Sequence, residues 1–147
     1  MSLEKNKAIV RKSIKAINSK DLSLVDDLVA TDYVDHTRQT RGAESLKQFL
    51  TIIFKSFPDF HLTIEDIIAE GDKVWIRSTI TATHNGEFGG LPPTGNKFIE
   101  PSVWIYRINN GKIVEGWDVQ DELDFYRKIG AIEYTEKGKK LFPETAR

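Results

Sequence analysis

Two periods divide the chain. Over residues 3–18, Leu3, Val10, Ile14 and Ile17 fall on one stripe at helical spacing. Asp21 stands at a cap position ahead of Leu24, Val25, Leu28 and Val29, which predicts a short second helix. "DYVDH" (32–36) reads as a short extended piece. After Gly42, the residues Leu46, Phe49, Leu50, Ile53, Phe54 and Phe57 recur at +3, +4, +7, +8 and +11 from the first. That is the strongest apolar helix face in the chain, and Pro58 stops it. From there the period is two. "FHLTIEDIIAE" (60–70) and "KVWIRSTITATH" (73–84) read as strands joined at "GD" (71–72). "KFIEPSVWIYRI" (97–108) and "KIVEGWDVQ" (112–120) are a second pair, joined by the turn signal "NNG" (109–111). Pro101 inside the first of them predicts an edge position or a bulge. A short helix follows over about 122–129, with Gly130 as its stop. The polar tail, residues 131–147, is predicted to be loosely held.

Helices first, then antiparallel hairpins, then a short helix predict an α+β fold. Its expected architecture is a curved antiparallel β-sheet packed on the N-terminal helices, with a pocket between the layers. No repeat or linker interrupts the pattern, so residues 1–147 are expected to form a single domain. Between the two hairpins lies "NGEFGGLPPTGN" (85–96), which is longer than a simple hairpin needs. It reads either as a pocket rim, with Phe88 and Leu91 covering a ligand, or as a long hairpin loop and nothing more. It lacks the GxxxxGK[ST] spacing of a phosphate loop.

Composition narrows the chemistry. Of the 147 residues 39% are hydrophobic and 29% charged, which is ordinary for a soluble globular protein. A net charge of -1 gives no electrostatic case for nucleic acid or an anionic membrane as a partner. "MSLEKNKAIVRKSIKAI" is charged throughout and has no signal-peptide core, so a cytoplasmic location is expected. The absence of cysteine excludes disulfides, thiolate catalysis and cysteine-ligated metals. His36, His61 and His84 are far apart and show no HxH or HExxH spacing, so no metal site is expected.

The acids at the end of the last strand raise the functional question. In "VEGWDVQDELDFYRKIG" (114–130), Trp117, Val119 and Asp121 share one face if the strand runs that far. A carboxylate buried there would have its pKa raised and would suit proton abstraction next to a carbonyl. Asp121 also lies directly before a helix, with Asp124 three residues on, so it equally reads as an N-cap. Asp118 has the opposite parity and reads as solvated or capping. Donors for a developing enolate oxygen are Tyr33, His36, His84, Tyr106 and the indole of Trp104. His84 shares parity with Val74, Ile76, Ile80 and Ala82, which also fits a core histidine.

"DYVDH", "THNGEFGGLPPTGNKF" and "YRINNGKIVEGWDVQDELDFYRKIG" together resemble the SnoaL-like polyketide cyclases, within the ketosteroid-isomerase and nuclear-transport-factor-2-like fold group. The resemblance covers about residues 5–130 and implies that the curved sheet is cone-shaped. It implies a cofactor-independent enzyme that closes a ring in a polyketide ester by intramolecular aldol condensation. It also implies that an aspartate late in the last strand is the acid/base. Counted back from the terminal glycine, that position is Asp121. The family's histidine in the preceding strand falls on Trp104 and its asparagine on Asp35, next to His36, while His84 is retained. The expected site is therefore Asp121, His36 and His84, with Asp35, Tyr33, Phe88, Leu91, Trp104, Tyr106 and Trp117 around the substrate. Related isomerisation or dehydration of a small carbonyl compound fits the same residues. Two rivals remain. One is a non-catalytic ligand-binding or dimerisation module; the fold group reuses its sheet face between subunits, so a homodimer is expected. The other is an epoxide hydrolase, which would need Asp35 within reach of Arg77.

Overall fold

The computed structural model describes residues 2–143. Helix α1 (Leu3–Ser19) starts at Ser2, whose hydroxyl accepts the Lys5 N–H at 3.1 Å, and ends at Lys20 in the left-handed region. A 3-10 turn (Leu22–Leu24) capped by Asp21 leads into α2 (Val25–Leu28) and strand β1 (Val29–Asp35). A tight turn and the two-residue strand β2 (Thr40–Arg41) follow. Gly42, at φ 92, then turns the chain into α3 (Ala43–Ser56). Four long strands come next: β3 (His61–Glu70), β4 (Lys73–Thr83), β5 (Lys97–Asn109) and β6 (Lys112–Gln120). Helix α4 (Glu122–Lys128) crosses back over the sheet. The tail is not wholly irregular: Thr135 caps a six-residue helix, α5 (Glu136–Leu141). Its last four positions, 144–147, lie outside the described residues. Among the described residues no helix is long and apolar enough to cross a membrane.

The strand order is β2-β1-β6-β5-β4-β3. The sheet is mixed rather than antiparallel throughout, because β1 runs parallel to β6. Parallel neighbours need a long crossover, and here α3 and the four strands β2 to β5 supply it. Pro101 sits in β5, an interior strand, opposite Thr79. The pairing of β5 with β6 begins only at Ser102↔Gln120, so β5 is locally an edge at Pro101.

One irregularity decides which side chains face inward. Ile108 pairs with Ile113, but Arg107 pairs with Glu115, so Val114 is an extra residue in β6. Past this bulge the even positions Gly116 and Asp118 are buried, while Val119 is 70% exposed. A slip of one residue exchanges the two faces of a strand. The expected grouping of Trp117, Val119 and Asp121 toward a pocket is therefore reversed.

The loop 85–96 is tied to the end of α3. Ser56 donates its hydroxyl to the Glu87 carbonyl, and the N–H groups of Asn85 and Gly86 donate to the Ser56 carbonyl. A Cβ at Gly86 would collide with the Lys55 carbonyl, which is backbone and cannot step aside. Gly86→Ala is expected to destabilise the fold by roughly 2–4 kcal/mol, measured as a lower urea midpoint.

Candidate active site

The inner face of the sheet, α1 to α3 and α4 enclose a cavity of about 430 Å³. Its walls are mainly apolar. Phe49, Leu50 and Phe57 reach in from the end of the α3 stripe, Phe98 from β5 and Phe125 from α4. Phe57 meets Phe98 edge-on at 5.4 Å and lies 5.8 Å from Phe125, so the aromatic wall is packed rather than loose. Phe88 adds to this wall from the loop, 5.3 Å from Phe57. Leu91 pairs with Phe88 through two backbone hydrogen bonds, closing a turn over Gly89 and Gly90, but it does not line the cavity.

The polar end is built by β1, β5 and β6. Tyr33 and Asp35 project from β1, Trp104 and Tyr106 from β5, and Gln120 from β6; all line the cavity, as does Arg38. Asp35 Oδ1 accepts the N–H groups of Thr37 and Arg38 at 3.1 and 3.0 Å, which forms the turn after β1. That turn brings the Arg38 guanidinium back over the sheet. Its Nη1 donates to Asp35 Oδ2 at 2.9 Å and to Asp118 Oδ1 at 2.8 Å, and Nη2 reaches Asp118 Oδ2 at 3.4 Å. The guanidinium stacks 4.2 Å from the Phe49 ring centroid. Asp118 is buried, 8% exposed, directly opposite Trp104 in the register. It lies one side chain behind the cavity wall, with Arg38 between.

Burial pushes the Asp118 carboxyl above the usual aspartate range, and the Arg38 guanidinium pulls against that shift. Burial also raises the hydroxyls of Tyr33 and Tyr106, with Asp118 and Asp35 adding to the effect. Both tyrosines are neutral donors at neutral pH, and neither hydroxyl has a hydrogen-bond partner among the described residues. Gly116 makes room for Tyr33, since a Cβ there would collide with the Tyr33 hydroxyl.

Several expected site residues stand elsewhere. Asp121 is exposed and caps α4, its Oδ1 accepting the Asp124 N–H at 3.0 Å; this is the capping alternative, and it does not line the cavity. His36 is on the outer face, stacked on Trp117 at 4.5 Å and bonded through Nε2 to Glu115 at 2.9 Å. Trp117 is thereby also outside the cavity. His84 is fully buried beside Phe57, with Nδ1 2.9 Å from Thr94 Oγ1, and pins the loop rather than lining the cavity. The Trp104 indole N–H is spent on Ser102 Oγ at 3.0 Å. Arg77 pairs with Asp66 at the surface, far in register from Asp35. Sequence reasoning missed Arg38 and misplaced Asp118. The available signal was the D-x-x-R spacing of Asp35 and Arg38, a turn with its own ion pair.

The profile of the SnoaL-like polyketide cyclases matches residues 7–129. The chain belongs to that family. Aklanonic acid methyl ester cyclase DauD of Streptomyces sp. (strain C5) is 27% identical over 146 residues, covering 95% of this chain and 90% of that protein. Nogalonic acid methyl ester cyclase of Streptomyces nogalater is 25% identical over 124 residues, covering 80% of this chain and 91% of that protein. Among solved structures, AclR from Streptomyces galilaeus superposes with a TM-score of 0.80 at 32% identity, over 90% of this chain and 100% of AclR. TsrD from Streptomyces laurentii superposes with a TM-score of 0.82 at 25% identity, over 90% of this chain and 99% of TsrD. The α+β class and the helices packed on a curved sheet agree with these relatives and with the chain pattern; the sheet is mixed where the pattern predicts an antiparallel one.

A second buried carboxyl lies outside the cavity. Glu100 on β5 is 1% exposed; Lys128 of α4 donates to its Oε1 at 3.3 Å and pairs with Asp124 at 2.7 Å. Glu100 Oε2 is buried with no partner, an arrangement that a proton on Glu100, shared with Asp124, would satisfy. Burial pushes Glu100 up to about 7, with Lys128 opposing and Asp124 adding. Between its ordinary value of 4.5 and about 7, the folded protein holds a proton that the unfolded chain has released. Stability therefore falls as pH rises through that window. The melting temperature of the wild type is expected to drop by several degrees across it, and Glu100→Gln should flatten the drop; equal slopes in the two proteins would exclude Glu100 as the cause.

Proposed function

We propose that this protein is a cofactor-independent acid/base enzyme of the SnoaL-like type that closes a ring in a small polyketide ester, with Asp118 as the proton-holding group. The observation that carries this is a buried carboxyl with raised proton affinity at the polar end of an apolar cavity, beside a guanidinium that a second carboxylate also neutralises. The inward-facing aspartate late in the last strand is Asp118, so the family role expected of Asp121 moves there. Asp118 takes the proton from the carbon next to the ester carbonyl, relayed through one water. The enolate oxygen is met by the free hydroxyls of Tyr33 and Tyr106 and by the uncommitted N–H groups of Arg38. The enolate carbon forms a bond to a second carbonyl carbon of the same molecule, and the resulting alkoxide takes a proton back. The product is an isomer of the substrate, so no redox partner is required. When Asp118 is protonated, Asp35 still neutralises Arg38, and the guanidinium keeps its place.

A deep apolar cavity with hydroxyls left open favours an enzyme over a filled binding module. A second reading, addition of water to an epoxide, draws on the guanidinium shared by two carboxylates. Asp35 holds three N–H donors and so is a clamp, which leaves only a tyrosine hydroxyl as the acid for that chemistry. The assay is conversion of aklanonic acid methyl ester, a substrate named for relatives of this chain. Asp118→Asn should lower kcat by about 10²–10⁴-fold with the fold intact, and Asp121→Asn should remain within a few-fold of wild type. Full activity in Asp118→Asn rejects the role; no turnover of the ester, with a small epoxide converted to a product heavier by one water, points to the second reading.

The same proposal includes a cytoplasmic homodimer. The register pairs Ile68, Trp75, Ile105 and Trp117 in one row across four strands of the outer face, with Val103 opposite Val119 beside it. Ile68, Trp75 and Val119 are well exposed, an apolar face that a second copy would cover. Light scattering should give twice the chain mass of 16.8 kDa, and Val119→Glu should give monomer. A monomeric wild type at micromolar concentration excludes the dimer.

A further inference from the structure

One hydroxyl reaches Asp118 from outside the cavity. β1 stops pairing with β6 at Asp35↔Gly116. Two residues further in the same register, the Thr37 side chain stands where the next strand residue would. The Asp118 N–H donates to Thr37 Oγ1 at 2.8 Å, and Oγ1 donates to the Asp118 carbonyl at 3.2 Å. The Thr37 N–H donates to Asp35 Oδ1 at 3.1 Å. Thr37 is thus tied to both residues that clamp Arg38, through its backbone to one and its side chain to the other. It is exposed and lines no part of the cavity.

Resting on the reading of Asp118 as the acid/base, we propose that Thr37 is a positioning residue whose hydroxyl fixes where Asp118 stands against Arg38. With both backbone polar groups of Asp118 turned toward Thr37, the Trp104–Asp118 pair is a non-hydrogen-bonded one, in which facing residues stand closest. That spacing seats the carboxyl under the guanidinium. Without the hydroxyl, a buried N–H and C=O lose their partner at the one β6 residue that must not move. Burial pushes the Asp118 carboxyl up, Arg38 pulls it down and Asp35 pushes it up; the nearby Thr37 hydroxyl adds a smaller downward pull. Tyr33 and Tyr106 face the same carboxyl as neutral hydroxyls.

The test compares Thr37→Val, which keeps the shape and removes the hydroxyl, with Thr37→Ser, which keeps the hydroxyl. Carboxyl-carbon NMR titration of Asp118 reads the placement without any substrate. Thr37→Val should raise the Asp118 midpoint and move the acid limb of the kcat/KM profile to higher pH. It should lower kcat on the order of tenfold, the scale of one hydrogen bond, with little change in KM. Thr37→Ser should restore both readouts. Thr37→Ala against Thr37→Ser repeats the hydroxyl comparison should the valine variant fold poorly. Valine and alanine variants that titrate and turn over like the wild type overturn the proposal. A shifted titration together with an active Asp118→Asn variant leaves Thr37 in place and rejects Asp118 as the catalytic group, so the two failures are separable.

Discussion

Two carboxylates at one end of an apolar cavity are a charge problem before they are a catalytic device. Each would be costly to bury alone, by several kcal/mol even after relaxation. Arg38 resolves this by lying between Asp35 and Asp118 and donating to both. The arrangement is asymmetric. Asp35 accepts two backbone N–H groups as well as the guanidinium, which fixes it as a clamp. The Asp118 carboxyl accepts only from the guanidinium, and burial raises its affinity for a proton. The rest of the site follows from holding that guanidinium still, between the Phe49 ring and the sheet.

The cost of such a site is met by the walls around it. Phe57, Phe88, Phe98 and Phe125 contribute a packed aromatic cluster to one wall of the cavity. The loop carrying Phe88 has little regular structure, so its position depends on specific ties. His84 to Thr94 and Ser56 to Glu87 are two of them, and Asn96 to the Lys128 carbonyl joins the loop to α4. The same Lys128 side chain reaches the buried Glu100. Polar groups that look like catalytic candidates in the sequence are here used to fix the walls. His84 is the clearest case: its Nδ1 meets Thr94 Oγ1 of the loop, while its Nε2 is buried without a partner.

Much of the fold was legible because it rests on period and punctuation. The α3 stripe, the strands and the turns at 71–72 and 110–111 are local signals that tertiary structure had no reason to override. The parallel pairing of β1 with β6 was not legible, because nothing local to 32–36 reports the direction of a distant neighbour. The site was less legible than the fold for one physical reason. Parity assigns faces only while the strand stays regular, and the extra residue Val114 exchanges them. Trp117 and Val119 look like core residues in the sequence, and Asp118 looks like a surface acid. The bulge puts each on the other side. Tyr33, Asp35, Trp104 and Tyr106 lie before the bulge or on other strands, and those four line the cavity as expected.

The bulge also accounts for two features that have no other common cause. It turns Gly116 inward, where the absent side chain admits the Tyr33 hydroxyl. It turns Trp117 outward, where it stacks on His36 and extends the apolar row along the outer face. In a regular β6 the parity would be the reverse, with Trp117 turned inward and Asp118 outward. One extra residue in β6 therefore sets that strand's share of both faces, Asp118 on the inner side and Trp117 and Val119 on the outer. The catalytic reading and the subunit-contact reading are tied to the same local geometry.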